Sequence, residues 1–147
     1  MKRNEALRTL SHQHHRGLFA ALQLKRAERE TAASARQAFI EFFEREGARH
    51  FRIEEELLLP AYARHAGFDE PAIVRVLTDH VDLRRRGQDL QNSADLDADT
   101  LRELGERLER HIRFEERLLF PMIEEALPPD ELERVAAAIE RAETEDD

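Results

Sequence analysis

The feature that most limits what this chain can fold into is an internal repeat. His50-Phe51-Arg52-Ile53-Glu54-Glu55-Glu56-Leu57-Leu58-Leu59-Pro60 aligns with His111-Ile112-Arg113-Phe114-Glu115-Glu116-Arg117-Leu118-Leu119-Phe120-Pro121, with seven of eleven positions identical. Two amphipathic helices match leucines by chance. They rarely match a histidine, two adjacent glutamates and a proline in one register. Upstream, Leu10-Ser11-His12-Gln13-His14 echoes Leu77-Thr78-Asp79-His80. The chain therefore reads as two copies of a helical hairpin. Each copy has one histidine on its first helix and a His-x-x-x-Glu pair on its second.

Composition agrees with helices. Ala, Glu, Lys, Leu and Arg make up 84 of the 147 residues, whereas Val, Ile and Thr reach only 15. Such a chain favours long helices over any sizeable sheet. Punctuation divides it further. A first helix spans about Asn4 to Arg29, with a break near Thr31. Ser34 and Gln37 have capping-box spacing, so the second helix starts there or slightly earlier. It runs toward His65 and stops at Gly67, and Pro60 is expected to kink or end it. Asp69, Glu70 and Pro71 open a third helix that fades around Gln91–Ser93. The polar stretch Asn92 to Asp99 is the longest expected loop. Thr100 and Glu103 form a second capping-box pair, opening a fourth helix that ends near Leu127-Pro128-Pro129. Asp130 to about Thr144 reads as a short amphipathic helix with an acidic tail. The expected fold is all-α, a single domain over 1–147. It is an up-down-up-down antiparallel four-helix bundle (about 4–127) with a short extra C-terminal helix (about 129–144) packed outside it.

Several function classes drop out. The chain has no cysteine, which excludes thiolate metal sites, disulfides and cysteine nucleophiles. No apolar run approaches the length of a membrane span, and the start Met1-Lys2-Arg3-Asn4-Glu5 lacks the apolar stretch of a secretory signal. The expectation is a cytoplasmic protein with no membrane partner. A formal charge of −9 argues against nucleic acid as a partner.

The seven histidines carry the most information. At 100° per residue, the inward stripe of the fourth helix is Leu104, Leu108, His111, Glu115, Leu118, Met122. On the second helix it is Phe39, Phe43, Gly47 (or Glu46), His50, Glu54, Leu57, Ala61. On the third it is Ile73, Val76 or Leu77, His80, Leu83 or Arg84, Gly87, Leu90. On the first it is Leu7, Leu10, His14, Leu18, Leu22 (or Ala21), with His15 at the edge and His12 further off. Four helices thus aim a histidine at one interior, and two add a glutamate one turn on. Side chains four apart on a helix lie about 5–6 Å from one another, so each His-Glu pair converges on one small object. A lone core histidine is read as a hydrogen-bonded packing residue. Four histidines with two glutamates in a duplicated pattern point to metal, because buried carboxylates without partners are costly. Imidazole and carboxylate suit iron, manganese or zinc, and two glutamates can bridge two metals about 3.5–4 Å apart. The order differs from the Glu-x-x-His of ferritin-like bundles and from the His-Glu-x-x-His of zinc proteases.

At these residues the chain resembles the hemerythrin-like, or HHE cation-binding, family from about Leu7 to Leu127. His14, His50-x-x-x-Glu54, His80 and His111-x-x-x-Glu115 follow that family's ligand order. The resemblance implies a bundle holding two non-haem, carboxylate-bridged iron ions, with zinc or manganese as substitutes. It implies binding or sensing of O₂, NO or another small oxidant there. Oxygen-carrying members have a fifth histidine paired i, i+4 on the third helix. Here the neighbours of His80 at that spacing are Arg84 and Val76. His15, or else His12, is the candidate fifth ligand. No general base or nucleophile is visible outside the metal site, so the chain reads as a binding protein, and any catalysis as metal-centred oxidant chemistry. A metal-free interaction module and an iron store or sensor without O₂ chemistry are the competing readings. The charged exterior fits a monomer or a dimer through the fifth helix.

Smaller expectations attach to single residues. Gly17, Gly47 and Gly87 read as sites of close helix packing or as space for a diatomic ligand. Phe43, Leu18 and Leu118 are candidates to line an apolar pocket over the metals. Glu46, one turn before His50, is a candidate acceptor for an imidazole N–H. His65, just before Gly67, reads as a favourable cation at the helix C-terminus.

Overall fold

The computed structural model describes residues 3–93 and 97–145, all helical apart from short connections. Helix α1 spans Glu5–Lys25. Helix α2 is a continuous rod over residues 32–66, built from the segments Ala32–Phe42, Phe43–Gly47, Ala48–Ile53, Glu54–Leu58 and Leu59–Ala66. Helix α3 spans Pro71–Asn92. Helix α4 is a second composite rod over residues 98–126, built from Ala98–Phe114, Glu115–Leu119 and Phe120–Ala126. Helix α5 spans Pro129–Glu145. The centre of the polar connector expected over Asn92 to Asp99 lies outside the described residues.

The helix ends follow local chemistry. The Asn4 side chain accepts from the Ala6 N–H at 2.8 Å, satisfying one of the orphan donors at the start of α1. The Glu70 carboxylate does the same for Ala72 and Ile73 ahead of Pro71, the first residue of α3. Gly67 closes α2 with a φ of 89°, a left-handed value that a side chain would strain. The expected Thr100 cap is corrected, and the second helix starts slightly earlier than Ser34, the alternative the spacing allowed. Helix α4 opens at Asp97, whose carboxylate accepts from the Thr100 N–H at 2.8 Å, so Thr100 is already inside the helix. Helix α2 opens at Ala32, and Ser34 donates back to the Thr31 carbonyl instead of capping.

Pro60 does not end α2, and Pro121 does not end α4. Each proline follows a widened π-helical turn, Glu54–Leu58 in one rod and Glu115–Leu119 in the other. Proline lacks an N–H for the carbonyl four residues back, and its ring clashes there. The wider turn before it lets the rod continue. It also adds a residue, so the inward stripe slips by one. Leu58 and Leu119 are buried where Leu57 and Leu118 were expected, and Ile123 is buried in place of Met122.

Neighbouring helices meet in opposite senses. Arg3 pairs with Glu124 and Lys25 with Glu109, so α1 and α4 run antiparallel. Arg36 meets the Leu90 carbonyl and His80 meets Glu55, so α2 and α3 do too. Two apolar clusters fill the interior. One contains Leu7, Leu10, Val76, Leu119 and Ile123, joined by Leu132, Val135 and Ile139 of α5. The other contains Leu24, Phe39, Leu83, Leu90 and Leu104. On each bundle helix the histidine falls where one cluster gives way to the other. Within the second cluster, Gly105 of α4 permits a close approach to the end of α1, since a Cβ would lie 2.7 Å from the Ala21 carbonyl oxygen. Among the described residues no helix is long and apolar enough to cross a membrane.

Candidate metal centre

Among the described residues, six polar side chains are buried in the interior: His14, His50, Glu54, His80, His111 and Glu115. Both glutamates are fully buried. Glu54 lies 3.2 Å from His50 Nε2 through one oxygen and 3.1 Å from His80 Nε2 through the other. Glu115 lies 2.9 Å from His14 Nε2 through one oxygen and 3.4 Å from His111 Nε2 through the other. The ligand atoms form two groups, His14-His50-Glu54-Glu115 and Glu54-His80-His111-Glu115, in each of which they lie within 4.8 Å of one another. Both glutamates belong to both groups.

The other ring nitrogens face outward onto a second layer. His14 Nδ1 bonds Glu116 at 2.8 Å, His50 Nδ1 bonds Gln13 at 2.8 Å, His80 Nδ1 bonds Glu55 at 2.6 Å and His111 Nδ1 bonds Asp79 at 3.0 Å. These contacts repeat with the sequence. The second glutamate of each repeat, Glu55 or Glu116, holds the histidine on the first helix of a hairpin, His80 or His14. The residue just before that histidine, Gln13 or Asp79, holds the histidine of the repeat. An acceptor at Nδ1 fixes a hydrogen there and turns Nε2 toward the interior, the nitrogen left to bind a cation once its own proton is lost. Rings are also held by stacking, Phe51 on His80 with centroids 3.9 Å apart and Phe120 on His14 at 5.4 Å.

Electrostatics match this layout. Burial alone pushes the His50 imidazole down, but the carboxylates of Glu54 and Glu115 override it and raise it to about 10. The same contest, with Glu54 and Glu55 opposing burial, raises His80 to about 9. Burial pushes the Glu115 carboxyl up, yet His111, His14 and His50 hold it well below the ordinary range. Even so, His50 Nε2, His80 Nε2, His111 Nε2, Glu115 Oε2 and both oxygens of Glu54 make no hydrogen bond. Buried polar atoms left this way are expensive, and a cation in each ligand group would satisfy all six.

The sequence profile described as hemerythrin HHE cation binding domain matches residues 7–123, and again 72–147. The chain belongs to the hemerythrin HHE cation-binding domain family. A search of the curated proteins and one of the solved structures gave no significant match. As a hemerythrin-type chain it carries buried His and Glu groups able to hold a cation, and the donor set fits one: imidazoles and carboxylates with unsatisfied inward atoms, where a cation would take the place of the imidazole protons.

Not every residue singled out in the sequence reaches the hemerythrin-type site. His15 is exposed on the outside of α1, its ring against His12 at 5.8 Å, because it lies 100° round the helix from His14. Neither His15 nor His12 belongs to the ligand groups. Glu46 is ion-paired with Arg16, and Gln13 takes the Nδ1 of His50 in its place. Arg84 is one of the two residues, with Val76, that stand one turn from His80 where a paired histidine would be. It pairs with Glu55 at 2.9 Å and lies over the Phe51 ring, bracing the carboxylate that holds His80. His65, placed near the end of α2 as expected, bonds Glu131 of α5 at 2.6 Å.

A cavity of about 20 Å³ adjoins the ligand groups, bordered by His14, His50, His111, Gly17, Gly47 and Phe43 among others. That volume admits one water-sized molecule. Leu18 does not line it, and Leu118 is 54% exposed because the π turn rotates it outward. Gly17 and Gly47 serve both expectations at once. A Cβ on Gly17 would lie 2.8 Å from Ile112 Cδ1, and one on Gly47 would lie 2.9 Å from Phe43 Cδ2.

The sequence reading gave no role to Gln13, Glu55, Asp79 or Glu116. The signal was present. Glu55 and Glu116 are co-registered in the repeat, and Gln13 aligns with Asp79 in the fainter upstream echo.

Proposed function

We propose that this protein is an up-down-up-down four-helix bundle, with α5 packed outside, that holds two non-haem iron ions and binds or senses O₂, NO or a related small oxidant. His14 and His50 would hold one ion, His80 and His111 the other, and Glu54 and Glu115 would bridge both. The observation carrying this reading is the sharing of two fully buried glutamates between two histidine pairs, beside a cavity for one small molecule. Iron would supply redox chemistry and open coordination positions for the ligand.

The chain's own residues do the rest. The outward acceptors hold each imidazole in the tautomer that presents Nε2. Phe51 and Phe120 keep the rings from turning. The apolar cavity wall of Phe39, Phe42, Phe43, Leu83 and Leu108 excludes bulk water and limits the ligand to a very small molecule. With four histidines in the ligand groups and no fifth, one ion would keep an extra water, which favours sensing or oxidant handling over stable oxygen carriage. The chain would act inside the cell, with a diatomic molecule or oxidant as its partner.

An anaerobic ferrous titration with metal analysis, followed by air or NO, tests this. Uptake near two irons per chain and a ligand-to-iron charge-transfer band in the near ultraviolet are expected. A fully helical protein that takes up no iron and stays colourless would be a metal-free module instead.

A further inference from the structure

One of the four outward acceptors differs in kind. His14, His80 and His111 each present Nδ1 to a carboxylate, which can only accept. His50 alone presents Nδ1 to an amide, that of Gln13. An amide is ambivalent: turned over, it would offer its N–H₂ and draw the imidazole hydrogen to Nε2. What stops this is on α5. Gln13 Nε2 donates to Glu143 Oε1 at 2.8 Å, and the other Glu143 oxygen lies 3.2 Å from Arg49 Nε. A carboxylate facing the N–H₂ forces the Gln13 oxygen toward His50.

We propose that Glu143 is a positioning residue for the metal centre, acting through Gln13 to fix His50 with its hydrogen on Nδ1 and Nε2 bare. This rests on the reading of His50 as a ligand. It gives the C-terminal helix a task beyond packing. The bundle histidines are oriented by the bundle, except one, which is oriented by α5. Coupling of this kind is reciprocal, so filling the site tightens the docking of α5, and undocking α5 loosens the site.

The test is ferrous iron and zinc affinity, measured by chelator competition, in a set of variants whose order separates orientation from bulk. In Glu143→Gln, Arg49 draws the new amide oxygen and the new N–H₂ turns to Gln13, which inverts the relay. Affinity should fall about tenfold or more, as when other outer partners of metal-bound histidines are lost. In Glu143→Ala, Gln13 is released but not inverted, so the fall should be smaller although the truncation is larger. The exchange Gln13→Glu with Glu143→Gln restores an acceptor-only group at His50 and a donor behind it, and should return affinity toward that of the natural chain. In the metal-free protein, NMR should show a slowly exchanging Gln13 side-chain amide near Glu143. Unchanged affinity in Glu143→Gln, or a weaker site in Glu143→Ala than in Glu143→Gln, would overturn the relay and leave the proposed function standing. A natural chain that takes up neither metal would overturn both.

Discussion

Glu54 sits one turn after His50 on α2, yet its second oxygen lies 3.1 Å from His80 Nε2 on α3. Glu115 does the same between α4 and α1, 2.9 Å from His14 Nε2. The glutamates thus join the two hairpins, and each belongs to both ligand groups.

Removing a shared group should therefore cost more than removing an unshared one. Glu54→Ala or Glu115→Ala should abolish uptake at both positions. His80→Ala should lower bound metal toward one per chain, since the first group keeps all its members. His15→Ala should leave the content unchanged. Metal analysis of the purified variants decides among these outcomes.

The metal-free protein should lose stability on both sides of a mildly acidic optimum. His50 and His80 are raised from 6.5 to about 10 and about 9, so their contribution is complete below 6.5 and is lost as pH rises through those values. Glu115 is depressed below 4.5, so its contribution is present above 4.5 and is lost as pH falls. Thermal melts across pH should therefore give a Tm that declines from near neutrality toward pH 10 and again in acid. Metal uptake needs bare imidazoles, so adding metal should flatten the alkaline decline and release protons.

Two glycines should respond in opposite ways to alanine. At Gly105 the new Cβ would lie 2.7–2.8 Å from the Ala21 carbonyl, the Leu24 Cβ and the Lys25 nitrogen, which cannot move cheaply. Gly105→Ala should cost about 1–3 kcal/mol, a fall in Tm of roughly 3–10 °C. At Gly87 the nearest atom is Phe39 Cε1 at 3.5 Å, an ordinary contact. Gly87→Ala should be neutral or stabilise by up to about 1 kcal/mol through helix propensity. Calorimetry separates the pair.

Narrowing the cavity should affect the ligand and not the metal. Gly17→Ala puts a methyl 2.8 Å from Ile112 Cδ1, the mobile end of a side chain that borders the same cavity. Iron content should stay at the natural level while azide or NO affinity, followed spectroscopically, falls severalfold. Equal ligand affinity would mean that the small molecule enters elsewhere.

Much of the site was legible because helical periodicity is a local property. His14, His50, His80 and His111 fall on apolar stripes, and a residue on such a stripe goes inward whatever its partners. The slip from Leu118 to Leu119 was not legible from a constant 100° per residue. The π turn Glu115–Leu119 ahead of Pro121 inserts a residue that no constant period anticipates. The Asp97 cap was missed because Thr100 and Glu103 carry capping-box spacing three residues further on, whereas Asp97 has a threonine and not a glutamate at that spacing.

The sequence by itself determined that long helices form, that six His and Glu side chains point inward and that the chain repeats, since each follows from residues close together along one rod. Only the tertiary structure decided which carboxylate meets which imidazole, that Gln13, Glu55, Asp79 and Glu116 hold the outer nitrogens, and that α5 reaches the site through Glu143. Those contacts join different helices. The direction of a side chain about its own axis is written in local spacing, but the atom it meets depends on how the rods cross.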